Sequence, residues 1–215
     1  MAWKLKTLEE NLLIGSTLVE GSTLTEKEAK EVLAGRTVQG HSIQEVRELL
    51  NYRTAAEWLM VQVKATPYVS KNLTLDFHAR LFQGFPGEHG RWKSQPNYTY
   101  LSTGARHDYA PPSQVEGQMA RWIDDFNDKT DSDRALARGA ELYYRFQLIH
   151  PFADGNGRIG RILICYWLHW KAHLAFTFRL KDKTDHLRGL EAANAGQMKA
   201  LEDFFKKRVK KESGS

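Results

Sequence analysis

Residues 150–161 read His-Pro-Phe-Ala-Asp-Gly-Asn-Gly-Arg-Ile-Gly-Arg. Gly155 and Gly157 permit a backbone turn whose N–H groups converge on an anion, and the apolar run that follows predicts a helix whose positive N-terminal end adds to the attraction. Asp154 offers a hard carboxylate oxygen for Mg²⁺. Arg158 and Arg161 stand three residues apart, so on a helix they are neighbours that reach phosphate oxygens together. His150 precedes the cradle, where an imidazole can take the proton of a hydroxyl. A base, a metal ligand, a phosphate cradle and two guanidinium groups in one short segment are the parts of a nucleotide-chemistry site. A plain glycine turn between two helices would require none of them in this order.

Such a loop works only if rigid elements hold both of its ends. Residues 135–149 and 158–170 are apolar nearly all round, as central helices buried on most sides must be, and the loop joins them. Helix-start signals recur elsewhere: Thr7 with Glu10, Thr25 with Glu28, Ser42 with Glu45 and Ser113 with Glu116 all have capping-box spacing. After Ser42, the apolar positions Val46, Leu49, Leu50, Ala56, Leu59 and Val63 predict a long amphipathic helix; after Ser113, Val115, Met119, Trp122, Ile123 and Phe126 predict another. From Gly84 to Pro112 the pattern breaks into glycines, prolines and the stretch Asn97-Tyr98-Thr99-Tyr100, which suits a β-hairpin or an extended loop. The expected fold is mainly α.

The chain of 215 residues, 41% hydrophobic, can bury one sizeable core, read as one compact domain with an N-terminal appendage. Its one cysteine, Cys165, lies in an apolar run, which excludes a disulfide framework. The N-terminus lacks an apolar leader core and no apolar stretch has the length of a membrane span, so a soluble, cytoplasmic protein in a reducing compartment is expected. Much of the net charge of +5 comes from Lys206, Lys207, Arg208, Lys210 and Lys211, read as a solvated helix face or tail. No nucleic-acid motif accompanies it. Residues 213–215 read as a disordered end. The histidines at 41, 78, 89, 107, 169, 173 and 186 show no ligand-like grouping, and no zinc is assigned.

The segment 150–161 resembles the signature of Fic-domain proteins, H-x-F-x-D/E-G-N-G-R-x-x-R, at every fixed position. The resemblance implies the Fic fold: a helical bundle with a short β-hairpin flap over the active site. Gly90-Arg91-Trp92 and Tyr109-Ala110-Pro111-Pro112 are similar to the stretches that bracket the family's flap, placing it at about 93–104, where an exposed strand edge would hold a target segment by β-augmentation. Leu190 to Gly196 resembles the segment lining the nucleotide-base pocket in relatives with an N-terminal inhibitory helix. Asn194 would then face adenine or ribose, although it equally suits a helix terminus, Gln197 stands where relatives commonly have Asp, and the usual Pro-Phe is absent. Ser16-Thr17-Leu18-Val19-Glu20-Gly21 matches the family's inhibitory pattern S/T-x-x-x-E-G/N, with Ser16, Glu20 and Gly21 at the fixed positions. The implied organisation is an N-terminal helical region over 1–40, with the inhibitory helix at about 8–20, and a Fic core over 41–212.

The activity so implied is transfer of AMP from ATP to a Tyr, Thr or Ser hydroxyl of a protein. Gly155, Asn156 and Gly157 would bind phosphate through backbone N–H groups, Asp154 would hold Mg²⁺, Arg158 and Arg161 would grip the β- and γ-phosphates, and His150 would deprotonate the hydroxyl. Members that phosphorylate instead carry lysine at the position of Gly157; this chain keeps glycine. Glu20 would restrain the reaction by pairing with Arg161. In one branch the same glutamate positions a water that removes AMP from modified proteins, so a bifunctional or mainly deAMPylating enzyme is the alternative within the family. A noncatalytic ATP-binding regulatory module is the alternative outside enzyme chemistry. ATP and a flap-docked protein target are the implied partners, with self-modification and a homodimer as further expectations.

Overall fold

The computed structural model describes residues 5–129 and 132–212; the tail 213–215 lies outside the described residues. Among them are nine α-helices and one two-stranded sheet. The centre is the pair α6 (Ala135–Ile149) and α7 (Asn156–Ala172), packed against each other and joined by the loop 150–155. Apolar residues on most sides put Leu142, Tyr143 and Phe146 of α6 and nearly all of α7 from Ile159 to Leu168 in the core. α7 starts two residues before the expected 158, because Gly155 takes a left-handed conformation (φ 79°) as its N-cap and the helix can begin at Asn156.

α2 (Glu26–Leu33) and α3 (Ile43–Ala65) open with complete capping boxes from Thr25 with Glu28 and Ser42 with Glu45. Two of the four expected cap positions fall inside a helix instead of before one. α1 (Leu5–Val19) already contains Thr7, so Thr7 is not its N-cap. α5 (Pro112–Asn127) is started by Pro111 and Pro112, whose fixed φ is ready-made for a first turn; Ser113 lies inside the helix. Glu116 is thereby released to accept from Lys71 Nζ (2.6 Å) and Trp92 Nε1 (2.8 Å).

Leu12, Leu13, Ile14, Leu18 and Val19 of α1 are buried, and α1 packs on α3 and α7. The end of α1 is thus carried to the start of α7. Further along, α4 (Lys71–Leu81) packs on α3, and α8 (Lys183–Asn194) and α9 (Met198–Glu212) form a tightly packed pair against α6. The basic run in α9 is not uniformly solvated: Arg208 is fully buried, donates to Thr177 O (2.9 and 2.8 Å) and pairs with Asp182 (3.2 Å). No helix among the described residues is long and apolar enough to cross a membrane.

The hairpin is β1 (Tyr98–Tyr100) and β2 (Arg106–Asp108), antiparallel, with Thr99 opposite His107. The expected bounds of 93–104 cut it short. Gly104 N–H bonds Leu101 O and Leu101 N–H bonds Ala105 O (both 2.9 Å), so residues 101–105 are the tip and the return strand lies beyond.

Candidate active site

The loop 150–155 is held in one shape. Phe152 is fully buried and stacks on His78, with ring centroids 4.0 Å apart and planes within 4°. Asn156 spends its side chain on the loop itself: Oδ1 accepts from Phe152 N–H (2.8 Å) and Nδ2 donates to Phe152 O (2.9 Å). Its contribution to an anion site is therefore confined to the backbone N–H, which with that of Gly157 lies among the first-turn N–H groups of α7. Asp154 Oδ1 accepts from Gly155 N–H (2.6 Å), and the Asp154 side chain is 73% exposed.

His150 closes α6 in a left-handed conformation (φ 47°). Nδ1 lies 3.2 Å from Gln147 O; a carbonyl can only accept, so Nδ1 carries the proton and the lone pair sits on Nε2. The ring stacks on Tyr109, with centroids 3.7 Å apart and planes within 4°. Burial, assisted by the charges of Lys93 and His107 and opposed by the Gln147 hydrogen bond and by Glu20, lowers its pKa to about 4. At neutral pH the imidazole is a neutral base.

Arg158 and Arg161 are both buried and meet different groups. Arg161 donates from Nε to Ser16 Oγ (2.7 Å) and from Nη2 to Ser16 O (3.2 Å), and its Nη2 also contacts the Glu20 carboxylate. Glu20 follows directly after α1, and its side chain is 36% exposed. Burial raises its pKa, but the Arg161 guanidinium, by charge and hydrogen bond, with Arg158 and His150 beyond, outweighs burial and holds it below the ordinary 4.5. A Cβ added at Gly157 would collide with Glu20 Oε1 and stand 2.8 Å from Arg161 Nη1. The glutamate thus lies against the first turn of α7, in the place the spacing assigns to phosphate. Gly21 turns the chain away with φ 101°. Arg158 pairs instead with Glu48 of α3 (3.1 Å) and Asp154 (3.7 Å), lies over the Phe82 ring, and leaves Nε without a hydrogen-bond partner.

Asn194 is exposed at the end of α8. It borders a cavity of about 220 Å³ between the flap and α8, walled by Tyr100, Tyr109, Gln147 and Leu190 among others. The flap tip closes one side, where Ser102 N–H and Oγ donate to Glu191 (2.6 and 2.5 Å).

Residues 68–168 match the Fic/DOC family. The chain carries a Fic domain. Over 194 residues it is 25% identical to protein adenylyltransferase fic-1 of Caenorhabditis briggsae, covering 88% of this chain and 37% of that protein. Over 192 residues it is 26% identical to protein adenylyltransferase Fic of Drosophila mojavensis, covering 87% and 37%. The chain therefore spans under two fifths of the length of these relatives. Among solved structures, a Fic domain containing signaling protein from Bacteroides thetaiotaomicron superposes with a TM-score of 0.84 at 23% identity, over 95% of this chain and 83% of that one. A Fic family protein from Desulfovibrio desulfuricans gives 0.76 at 26% identity, over 96% and 67%.

Several groups that shape this Fic domain's site went unread in the sequence. Tyr109 is visible in the sequence only as part of the four-residue stretch that brackets the flap, not as a ring for His150. Glu48 and Tyr52, whose hydroxyl donates to Arg158 O (3.0 Å) and lies 3.4 Å from Ser16 Oγ, lie on α3 at positions that its apolar periodicity does not mark. Lys93 and Asn97 sit in a stretch without periodicity, so no local signal marked them.

Proposed function

We propose that this Fic domain transfers AMP from ATP to a hydroxyl side chain of a protein, and that Glu20 restrains the reaction. The observation that carries the reading is the tautomer and charge state of His150: neutral, with its lone pair on Nε2, at one end of the short loop whose other end is the first turn of α7. Backbone N–H groups of Asn156 and Gly157 would bind phosphate oxygens, that of Gly155 joining them in exchange for its bond to Asp154 Oδ1, and Arg158 and Arg161 would hold the β- and γ-phosphates, presenting the α-phosphorus to the incoming hydroxyl. As the oxygen attacks, its proton passes to His150 Nε2, the bond to the β-phosphate oxygen breaks, and pyrophosphate leaves. The two relatives above, both named adenylyltransferases, support the choice of AMP as the group transferred.

Mg²⁺ suits the donor set. Asp154 presents one exposed carboxylate beside the cradle, and Mg²⁺ is commonly held by one or two carboxylates together with substrate phosphates. Among the described residues no cluster of three or more His, Cys, Asp or Glu could hold a metal unaided, so the ion would arrive with the nucleotide. When bound, it would neutralise charge building on the phosphates.

Glu20 supports the restraint because it neutralises the guanidinium required by the γ-phosphate and adds a negative charge in the cradle. A second reading, removal of AMP from a modified protein, rests on the same carboxylate. It is ionised, over a third exposed and electrostatically coupled to His150, as a group aligning an attacking water must be. A protein target would dock on the flap 98–108, and the domain's own hydroxyls and a homodimer complete the set of partners to test.

The decisive experiment is intact-mass spectrometry of Glu20→Gly protein after incubation with Mg²⁺ and ATP, with other nucleoside triphosphates in parallel. Addition of AMP, abolished by His150→Ala, is the expected result. Measurable ATP binding with no transfer to any of a broad panel of proteins would turn the assignment to a noncatalytic ATP-binding module. Release of AMP from a premodified protein, dependent on Glu20, would establish the reverse activity.

A further inference from the structure

The backbone that carries His150 is gripped from outside its own segment. On either side of the histidine, carbonyls accept from the two stems of the flap: Leu148 O from Ala110 N–H (3.2 Å), Ile149 O from Lys93 Nζ (3.2 Å), Pro151 O from Lys93 N–H (2.8 Å) and Phe152 O from Asn97 Nδ2 (2.9 Å). Lys93 holds the turn twice, once through its backbone and once through its side chain. Its Nζ also donates to Asn97 Oδ1 (2.5 Å), which orients that amide so that Nδ2 faces Phe152 O. The lysine is 5% exposed, and the oxygens that receive its ammonium are neutral ones, with the Tyr109 ring 5.9 Å away. A buried ammonium surrounded by neutral acceptors is costly to keep, and a surface lysine would satisfy the backbone of an ordinary hairpin stem equally well.

We infer that Lys93 is a positioning residue for the transfer reaction: it fastens the flap stem to the turn bearing His150, fixing the imidazole relative to β1. The inference rests on the transferase reading and adds to it the means by which flap and base keep register. β1 follows Asn97 immediately, so a displacement of the flap is delivered to Phe152 O and, through Lys93, to the peptide group before the base and the one after Pro151. The ammonium has a second consequence. The charged or titratable groups facing His150 are Glu20 from the end of α1, His107 from β2, Tyr109 stacked on the ring, and Lys93. Of these, Lys93 and His107 disfavour the imidazolium and Glu20 favours it. Burial lowers the pKa of Lys93 itself to about 8, which leaves it mostly charged at pH 7.

The test uses the full chain with Glu20→Gly, alone and combined with Lys93→Met or Lys93→Arg. It reads AMP transfer, affinity for ATP by calorimetry, and the titration of His150 by NMR of the ring carbons. Lys93→Met is expected to lower turnover about tenfold, to leave ATP affinity within about twofold, and to raise the His150 midpoint by about 1 pH unit; Lys93→Arg is expected to recover most of the turnover. Loss of ATP affinity in parallel with turnover, or an unmoved His150 titration, would reduce Lys93 to a structural residue and overturn the inference. If Lys93→Met does not fold, Asn97→Ala, which takes away one acceptor of Lys93 and the donor to Phe152 O, is expected to lower turnover with the same unchanged ATP affinity. An Glu20→Gly protein that transfers nothing refutes the transferase reading, while the His150 titration still reports whether Lys93 acts on the base.

Discussion

Arg158 and Arg161 begin one helical turn apart on α7, are equally buried, and live in opposite circumstances. Arg161 has its guanidinium engaged by α1 and the residue after it: Ser16 Oγ, Ser16 O and the Glu20 carboxylate. Arg158 is held by Glu48 and Asp154, with Nε still to be satisfied. On the proposed reading a phosphate at Arg158 meets a guanidinium with an uncommitted Nε, whereas one at Arg161 must first displace Glu20. On that reading the two cations of one motif divide the work. Arg158 is the standing anchor and Arg161 the controlled one, so on the proposed reading nucleotide binding and nucleotide alignment are separable.

The most forceful way to test this division is to remove the base that alignment serves. In the Glu20→Gly background, His150→Ala is expected to lower AMP transfer by roughly 10²–10⁴-fold while ATP affinity is retained. A loss of affinity of the same size would mean that His150 builds the binding site and that alignment and chemistry cannot be told apart. Next, Glu20→Gly alone is expected to raise transfer by about 5–150-fold over wild type, the span of ordinary coupling energies. Equal rates in the two proteins would break the contrast between the arginines at its source.

Much of this contrast was legible in the sequence because it follows from local rules. Helix spacing puts Arg158 and Arg161 side by side, a glycine pair opens the cradle, and two apolar runs bury the helices that hold it. The resemblance of Ser16 to Gly21 to an inhibitory pattern named Arg161 as the partner of Glu20, and the contact is present. What was not legible depends on which faces meet. Nothing in the periodicity of α3 distinguishes Glu48, which pairs with Arg158, from the other polar residues of that helix, because the pairing is fixed by how α3 crosses α7 over a separation of 110 residues. The hairpin bounds failed for a different reason: a three-residue strand carries too few alternating positions to mark its end, and the tip is set by backbone bonds at Gly104. At α5 a local signal was present but a stronger one won, since two prolines initiate the helix before Ser113 can cap it.

A finer test compares the arginines directly by calorimetry with ATP and Mg²⁺. Arg158→Ala is expected to weaken binding about tenfold in both the wild type and Glu20→Gly, the loss of one charge-assisted contact of about 1.5 kcal/mol. Arg161→Ala is expected to weaken it about tenfold only when Glu20 is gone, and to change little in wild type, where the guanidinium is already spoken for. Similar effects of Arg161→Ala in both backgrounds would show that Glu20 does not compete with phosphate.

The smallest effect expected is that of pH, and its direction follows from the two shifted groups. His150 has a folded pKa of about 4 against an ordinary 6.5, and Lys93 is mostly charged below its lowered value of about 8, so transfer by Glu20→Gly should stay level from pH 7 to 5.5, as read by single-turnover AMP incorporation. Removing Glu20 takes away a charge that favours the imidazolium, so the variant's base titrates no higher than the wild type's. A midpoint near 6.5 would mean the ring is not held as described. The same shift bears on stability. Between 6.5 and about 4 the unfolded chain binds the proton that folded His150 refuses, so folding stability falls as pH falls through that window, and His150→Ala should flatten that slope in melts. Glu20 has the opposite relation to its charge: its pKa is depressed, so its pairing with Arg161 is in force above 4.5 and is lost only as pH drops through the lowered value. By the time acid releases the glutamate it is also protonating the base. On the proposed reading, acidification should therefore not activate the wild-type protein at any pH, and relief of the restraint would come from displacement of the end of α1.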